Sequence, residues 1–154
     1  MELEKIKDLA KTGNYSEALL LLDDLIRINS KEDKLWAARA FVNTHQGNSE
    51  AAIDDWSKAI QLNKEPHYFY MRGISRFQVS QYRSAISDFT AVIELCDKYK
   101  SDYYRSPAYF FRADAYLRLG EFDQAKSDCV HVPDNTQTWT DKLRTKADIL
   151  AECS

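Results

Sequence analysis

Gly13-Asn14-Tyr15-Ser16-Glu17-Ala18, Gly47-Asn48-Ser49-Glu50-Ala51-Ala52, Ser80-Gln81-Tyr82-Arg83-Ser84-Ala85 and Gly120-Glu121-Phe122-Asp123-Gln124-Ala125 share one pattern, a turn residue followed five places later by alanine. The turn residues stand 34, 33 and 40 positions apart, a period near 34 with an insertion in the third interval. Four places after each alanine comes Leu22, Trp56, Phe89 or Cys129, and three further Leu25, Ala59, Val92 or Val132. Spacing of three to four marks one face of a helix, whereas a strand would alternate every second residue. Before each turn lies another helix, marked in three units by an aromatic and then a small residue four places on: Trp36/Ala40, Phe69/Gly73 and Tyr109/Ala113. Small residues there allow two helices to approach closely.

Composition agrees with long helices joined by brief turns. The 154 residues are 44% hydrophobic, enough for a core, and include only four glycines and three prolines, too few for the many turns of an all-β domain. A formal net charge of −3 with mixed signs argues against a nucleic-acid footprint or a polybasic membrane anchor, which leaves a protein as the partner. Met1-Glu2-Leu3-Glu4-Lys5 leads into a charged helix, and no apolar run approaches the roughly 18 residues of a membrane span; the expectation is a cytoplasmic protein. Cys96, Cys129 and Cys153 match no zinc or redox spacing and read as buried thiols.

These recurring positions resemble the tetratricopeptide repeat, whose signature is W-x2-L-G-x2-Y, then A-x3-F, then Pro, at about 34 residues. The resemblance runs from roughly residue 2 to 133. It implies an all-α fold, a right-handed solenoid of four helix pairs in a single domain, with units at about 2–32, 33–65, 66–106 and 107–133. The terminal Pro of the signature is absent, with Ser30, Lys64 and Asp97 in its place, and the first helix lacks the aromatic, as befits an end cap. The interval from Cys96 to Pro107 is about six residues too long and holds Tyr99, Tyr103 and Tyr104. It is expected to lengthen the preceding helix and then turn, with Pro107 in the first turn of the next. After Pro133, Asp134-Asn135-Thr136 offers N-cap residues for a capping helix over about 136–152. Trp139, Leu143, Ala147 and Leu150 would form its inward face, and Lys142, Arg144, Lys146 and Asp148 would face water.

Arg39, Arg72 and Arg112 occupy one register position in three units, and each has an aspartate sixteen residues later, at Asp55, Asp88 and Asp128. A triplicated pair at constant separation predicts a structural ion pair between the two helices of a unit. No catalytic set emerges: His45, His67 and His131 fall on three units without a nucleophile or paired carboxylate at a useful spacing, and there is no phosphate loop. The expectation is a protein that is not an enzyme and needs no cofactor or metal.

In the family the first helix of each pair lines the concave face. The resemblance places Leu3 and Lys7, Ala37, Phe41 and His45, Tyr70, Ile74 and Gln78, and Phe110, Asp114 and Arg118 on that face, an aromatic and aliphatic stripe with polar ends, with the insertion tyrosines as a second contact surface. Family members that clamp a chaperone's C-terminal carboxylate need Lys and Asn on the first two inner helices, then Lys and Arg on the third. Here those places hold Leu3, Lys7, Ala38, His67 and Met71, which argues against that use. The expected function is a non-catalytic protein-binding module. Overall size and tail are also similar to small bacterial repeat proteins, some of them immunity proteins that neutralise a toxin. The alternative is a scaffold subunit that self-associates, and the expected free state is a monomer or a weak self-associate.

Overall fold

The computed structural model describes residues 2–154. Four helix pairs follow one another: α1 (Glu2–Lys11) with α2 (Tyr15–Ile28), α3 (Asp33–Gln46) with α4 (Ser49–Leu62), α5 (Pro66–Gln78) with α6 (Tyr82–Tyr99), and α7 (Arg105–Arg118) with α8 (Phe122–Cys129). The chain closes with β1 (Gln137–Trp139), β2 (Leu143–Thr145) and α9 (Lys146–Glu152).

The repeated sextet is a backbone device. Gly13, Gly47, Ser80 and Gly120 all take the left-handed conformation, with φ between 61° and 82°. Each donates its N–H to the carbonyl three residues back, and the following residue donates to the carbonyl five residues back: Asn14 to Leu9, Asn48 to Asn43, Gln81 to Arg76 and Glu121 to Tyr116, at 2.8–2.9 Å. This double closure satisfies carbonyls that the helix end would otherwise leave open. The alanine then starts the second helix by donating to the residue after the turn, as in Ala18 to Asn14 and Ala85 to Gln81. All four alanines are fully buried. Gly73 faces Phe89, and a Cβ at Gly73 would lie 2.7 Å from the ring.

The three Arg–Asp pairs form as the period predicts. Arg39 meets Asp55 at 2.7 and 3.0 Å, Arg72 meets Asp88 at 2.7 and 3.1 Å, and Arg112 meets Asp128 at 2.7 Å on both oxygens. The aspartates are buried. Each guanidinium also lies over the aromatic three residues before it, Trp36, Phe69 or Tyr109, with 5.0–5.6 Å to the ring centre. The remaining arm reaches the preceding unit, donating to Asp23, Ser57 Oγ and Thr90 Oγ1. Those acceptors immediately follow Leu22, Trp56 and Phe89, so the contact repeats in register. One side chain thus ties three helices.

The C-terminal segment differs from the single capping helix expected over 136–152. The closing helix is present but begins at Lys146, and residues 137–145 form an antiparallel hairpin pairing Thr138 with Arg144 and Trp139 with Leu143. Threonines and a tryptophan suit extended backbone, and the helix start is set by Thr145 and Asp148, which exchange bonds in a capping box. Asp134, Asn135 and Thr136 therefore supply no side-chain N-cap to α9, although the Thr136 carbonyl accepts from the Lys146 N–H and Asp134 from its ammonium. Trp139, Leu143 and Leu150, expected inward, are exposed, while Ile149 and Cys153 are buried against Phe110, Leu117, Ala125 and Cys129. Arg144, expected in water, is buried and paired with Asp114 on α7 and Glu152 on α9. The three cysteines are buried free thiols.

Two outcomes test this account. Asp128 has Arg112 as its ion-pair partner among the described residues, whereas Asp88 keeps Arg76 at 2.8 Å when Arg72 is lost. Arg112→Ala should therefore cost about 3 kcal/mol, because it strands a buried carboxylate, and lower the melting temperature by roughly 6–12 °C. Arg72→Ala should cost about half as much; equal shifts in calorimetry would refute the difference in backup. Ser80 holds the left-handed conformation that glycine holds at the other three turns. Ser80→Gly should stabilise by about 1 kcal/mol, read as a melt raised by roughly 2–4 °C, and an unchanged or lower melt would refute strain at that turn.

Candidate partner-binding groove

The side chains that the first helices present divide the expected groove into an open part and a largely packed part. The open part is an apolar cleft of about 300 Å³ where α1, α3 and α5 come together. Leu3 and Lys7 face it from α1, Ala37, Ala38 and Phe41 from α3, and His67 and Tyr68 from α5, above the buried ring of Trp56. Lys11 and Lys34 complete its rim. Of the groove residues expected from the sequence, Leu3, Lys7, Ala37 and Phe41 are brought together here.

His45 stands beside the cleft and is exposed, its ring 4.0 Å from that of Phe41 and its Nδ1 2.9 Å from the Phe41 carbonyl oxygen. It covers Phe41 from its own helix. His67 sits edge-on to Trp56 at 5.7 Å, and its Nδ1 is 2.8 Å from the Tyr104 hydroxyl. Burial holds its pKa below the ordinary imidazole value, with Glu65 opposing, so the wall it forms is neutral near pH 7. Tyr68 donates to Asp33 Oδ2 at 2.7 Å, which fixes its ring against Trp56.

Of the rest of the expected groove, Gln78 is exposed, and five residues, Tyr70, Ile74, Phe110, Asp114 and Arg118, are held in packing or ion pairs. Tyr70 packs against Tyr104, Phe89 and Phe111 at 5.2–6.2 Å, and burial pushes its hydroxyl up to about 12. Ile74 joins the same cluster. Phe110 is fully buried under α9. Asp114 is fully buried between Arg118 at 3.2 Å and Arg144 at 3.3 Å; desolvation raises its pKa against the pull of both cations. The Arg144 contact has ion-pair distance without hydrogen-bond aim, leaving Asp114 Oδ2 without a hydrogen-bonded partner. Arg118 is not a free groove cation either. It spans Asp114 and, at 2.7 Å, Asp141 in the hairpin turn, with its guanidinium 5.3 Å from the centre of the Phe77 ring. The charges that a groove reading would offer to a partner are spent holding the hairpin to α7.

The tyrosine insertion splits in the same way. Tyr104 is half-buried and belongs to the cluster around Tyr70, while Tyr99 and Tyr103 are exposed, Tyr103 edge-on to Tyr104 at 4.7 Å. Sequence reasoning missed Lys11, Lys34, Tyr68 and Trp56 as cleft residues. The repeat register held a signal for Lys34, because it stands at the position of His67, two places before the aromatic that packs on the arginine. Among the described residues no group of three or more potential metal ligands occurs, and no helix is long and apolar enough to cross a membrane.

Residues 106–131, which cover α7 and α8, match the tetratricopeptide repeat family. Over 83 residues the chain is 31% identical to the serine/threonine-protein phosphatase T of Trypanosoma brucei brucei, a match that covers 54% of this chain and 16% of that relative's length. Among solved structures the fold is similar to MamA from Desulfovibrio magneticus RS-1, with a TM-score of 0.71 at 16% identity over 84% of this chain and 73% of that one. It is also similar to YrrB, described as a TPR protein with an unusual peptide-binding site, with a TM-score of 0.71 at 19% identity over 84% of this chain and 64% of that one. With the four turn closures, the close-packed small residues and the repeating Arg–Asp braces, these likenesses show that the chain has the tetratricopeptide-repeat fold, a solenoid closed by a hairpin and a short helix.

Proposed function

We propose that the chain is a non-catalytic binding module that takes a segment of a partner protein into the cleft between α1, α3 and α5. The observation that carries this reading is an open apolar cleft between α1, α3 and α5, set against the packing and ion pairs that occupy most of the expected groove further along units three and four. Open apolar concavities of this kind lose solvent-facing hydrocarbon when a partner side chain enters. YrrB, of the same fold, is described as having a peptide-binding site, which supports a peptide-like occupant. Tyr99 and Tyr103 offer a second contact surface beyond the cleft.

The finer reading is inhibitory. A module that seats a partner segment in one cleft acts on that partner by covering its surface, and neutralising a toxin is the use we infer from the resemblance to small bacterial immunity proteins. A second reading, self-association as a scaffold, is favoured by one specific feature. Trp139 and Leu143 are cross-strand neighbours, both exposed, on a two-stranded hairpin. Association there would give a light-scattering mass that falls to the monomer value in Trp139→Ser.

Partner capture from the native host tests the main reading. Ala37→Glu and Phe41→Glu place a carboxylate in the cleft and should abolish capture, with circular dichroism confirming retained helix; rescue of toxin-poisoned cells, where the captured partner is a toxin, should be lost with it. Tyr70→Glu should instead unfold unit three, since Tyr70 lies in its packed cluster. Undiminished capture by folded Ala37→Glu and Phe41→Glu would move the interface off the cleft.

A further inference from the structure

Resting on that reading, we infer that the cleft selects a partner segment in which a bulky apolar side chain is flanked by carboxylate side chains. The argument is charge complementarity around an apolar site. The ten residues that line the cleft include three lysines, Lys7, Lys11 and Lys34, and no acidic residue. The chain as a whole carries more acidic than basic residues, so a rim of one sign is not a reflection of overall composition.

Each lysine is available to a partner. Lys7 touches Glu4 at 3.0 Å and Lys11 touches Asp8 at 3.4 Å, but these are solvent-exposed contacts three residues apart on one helix. Pairs of that kind contribute little and exchange readily with an incoming carboxylate. Lys34 has no carboxylate within ion-pair distance among the described residues. Its sequence neighbour Asp33 is committed elsewhere, accepting from Tyr68 at 2.7 Å and from Asn63 at 3.1 Å. Lys34 also stands in the first turn of α3, where the helix dipole disfavours a cation. Helix stability therefore gives no reason for it.

The walls supply the other half of the specificity. Ala37, Ala38, Phe41 and the neutral ring of His67 form a surface that an apolar side chain fills, while the lysine ammonium groups sit at its margin in water. Rim charges at such a site act on register and on the rate of encounter, while the apolar anchor holds the complex. A carboxylate beside the anchor gains a lysine at entry; a basic residue there meets three like charges.

A display selection of random 12-residue peptides on the immobilised full chain tests this, with selected sequences remade as C-terminally amidated, fluorescein-labelled peptides for anisotropy titration. The expected outcome is enrichment of Asp or Glu within a few positions of Leu, Ile, Met or Phe. Binding should weaken about tenfold in Lys7→Glu/Lys34→Glu, weaken again as salt is raised, and recover for peptides whose flanking acids are changed to Lys. Amidation excludes a free terminal carboxylate as the source of the charge. Selected peptides that lose binding in Phe41→Glu yet carry no acidic flanks, or that ignore the lysine reversals, would overturn this inference and leave the cleft as the binding site. Peptides that ignore Phe41→Glu as well would overturn both readings, as would preferential binding of single-stranded oligonucleotide or anionic vesicles run as competitors.

Discussion

A guanidinium held between two helices of one unit and one helix of the unit before it is the constraint on which the rest of this solenoid depends. Arg39, Arg72 and Arg112 each close a two-pronged pair on a buried aspartate and still have an arm for Asp23, Ser57 or Thr90. Hydrophobic burial supplies the driving force for stacking, but it is non-directional and would tolerate sliding of one unit over the next. A planar fork with fixed donor directions does not tolerate it. Because the third contact crosses the boundary between units, it sets how each unit sits on its predecessor, and thereby which first helices face one another across the concave side.

Where the stack ends, the same chemistry is used without the repeat. After unit four the hairpin covers α7, held through Asp114, Arg118, Asp141 and Arg144. This arrangement buries a carboxylate between two arginines at the position where unit two has Phe41 and unit three Ile74. An apolar groove position has become the anchor of a cap. The hairpin in turn positions α9, whose Ile149 and Cys153 complete the small core beneath Phe110 and Leu117.

How much of this was legible in the sequence follows from the range of the interactions involved. The turn sextets, the alanines and the Arg–Asp pairs recur at constant separations, so repetition itself made them visible, and their geometry follows the period. The closing segment occurs once. Its apolar residues Trp139, Leu143, Ala147 and Leu150 fall at helical spacing, which is why they read as one face of a helix, yet strands of three residues are too short for alternation to show. What decides for the hairpin is the burial of Arg144 against Asp114, a contact between residues far apart in the chain that no local pattern records. At Asp114 and Arg118 the groove expectation met the same difficulty: they looked free because Arg144 and Asp141 lie in the closing segment.

The location of the open cleft can nevertheless be traced to the register once side-chain volume is compared unit by unit. Immediately before the bracing arginine, unit two carries Ala37-Ala38, unit three Tyr70-Met71 and unit four Phe110-Phe111. Backbone geometry repeats across the three, so the difference in filling is a difference in side chains. Two aromatics in α7 and one in α5 occupy the space that two methyl groups in α3 leave empty, and Tyr104 from the insertion seals what remains beside Tyr70. An all-aromatic series would have given a continuous stacked face with nowhere for a partner side chain to enter, and an all-alanine series a shallow trough without ends. Small residues at one unit, bounded by large ones at the next, produce a cleft with a wall and a floor. The specificity of such a module is then written in the residues that break the repeat, on a frame that the residues obeying it hold rigid.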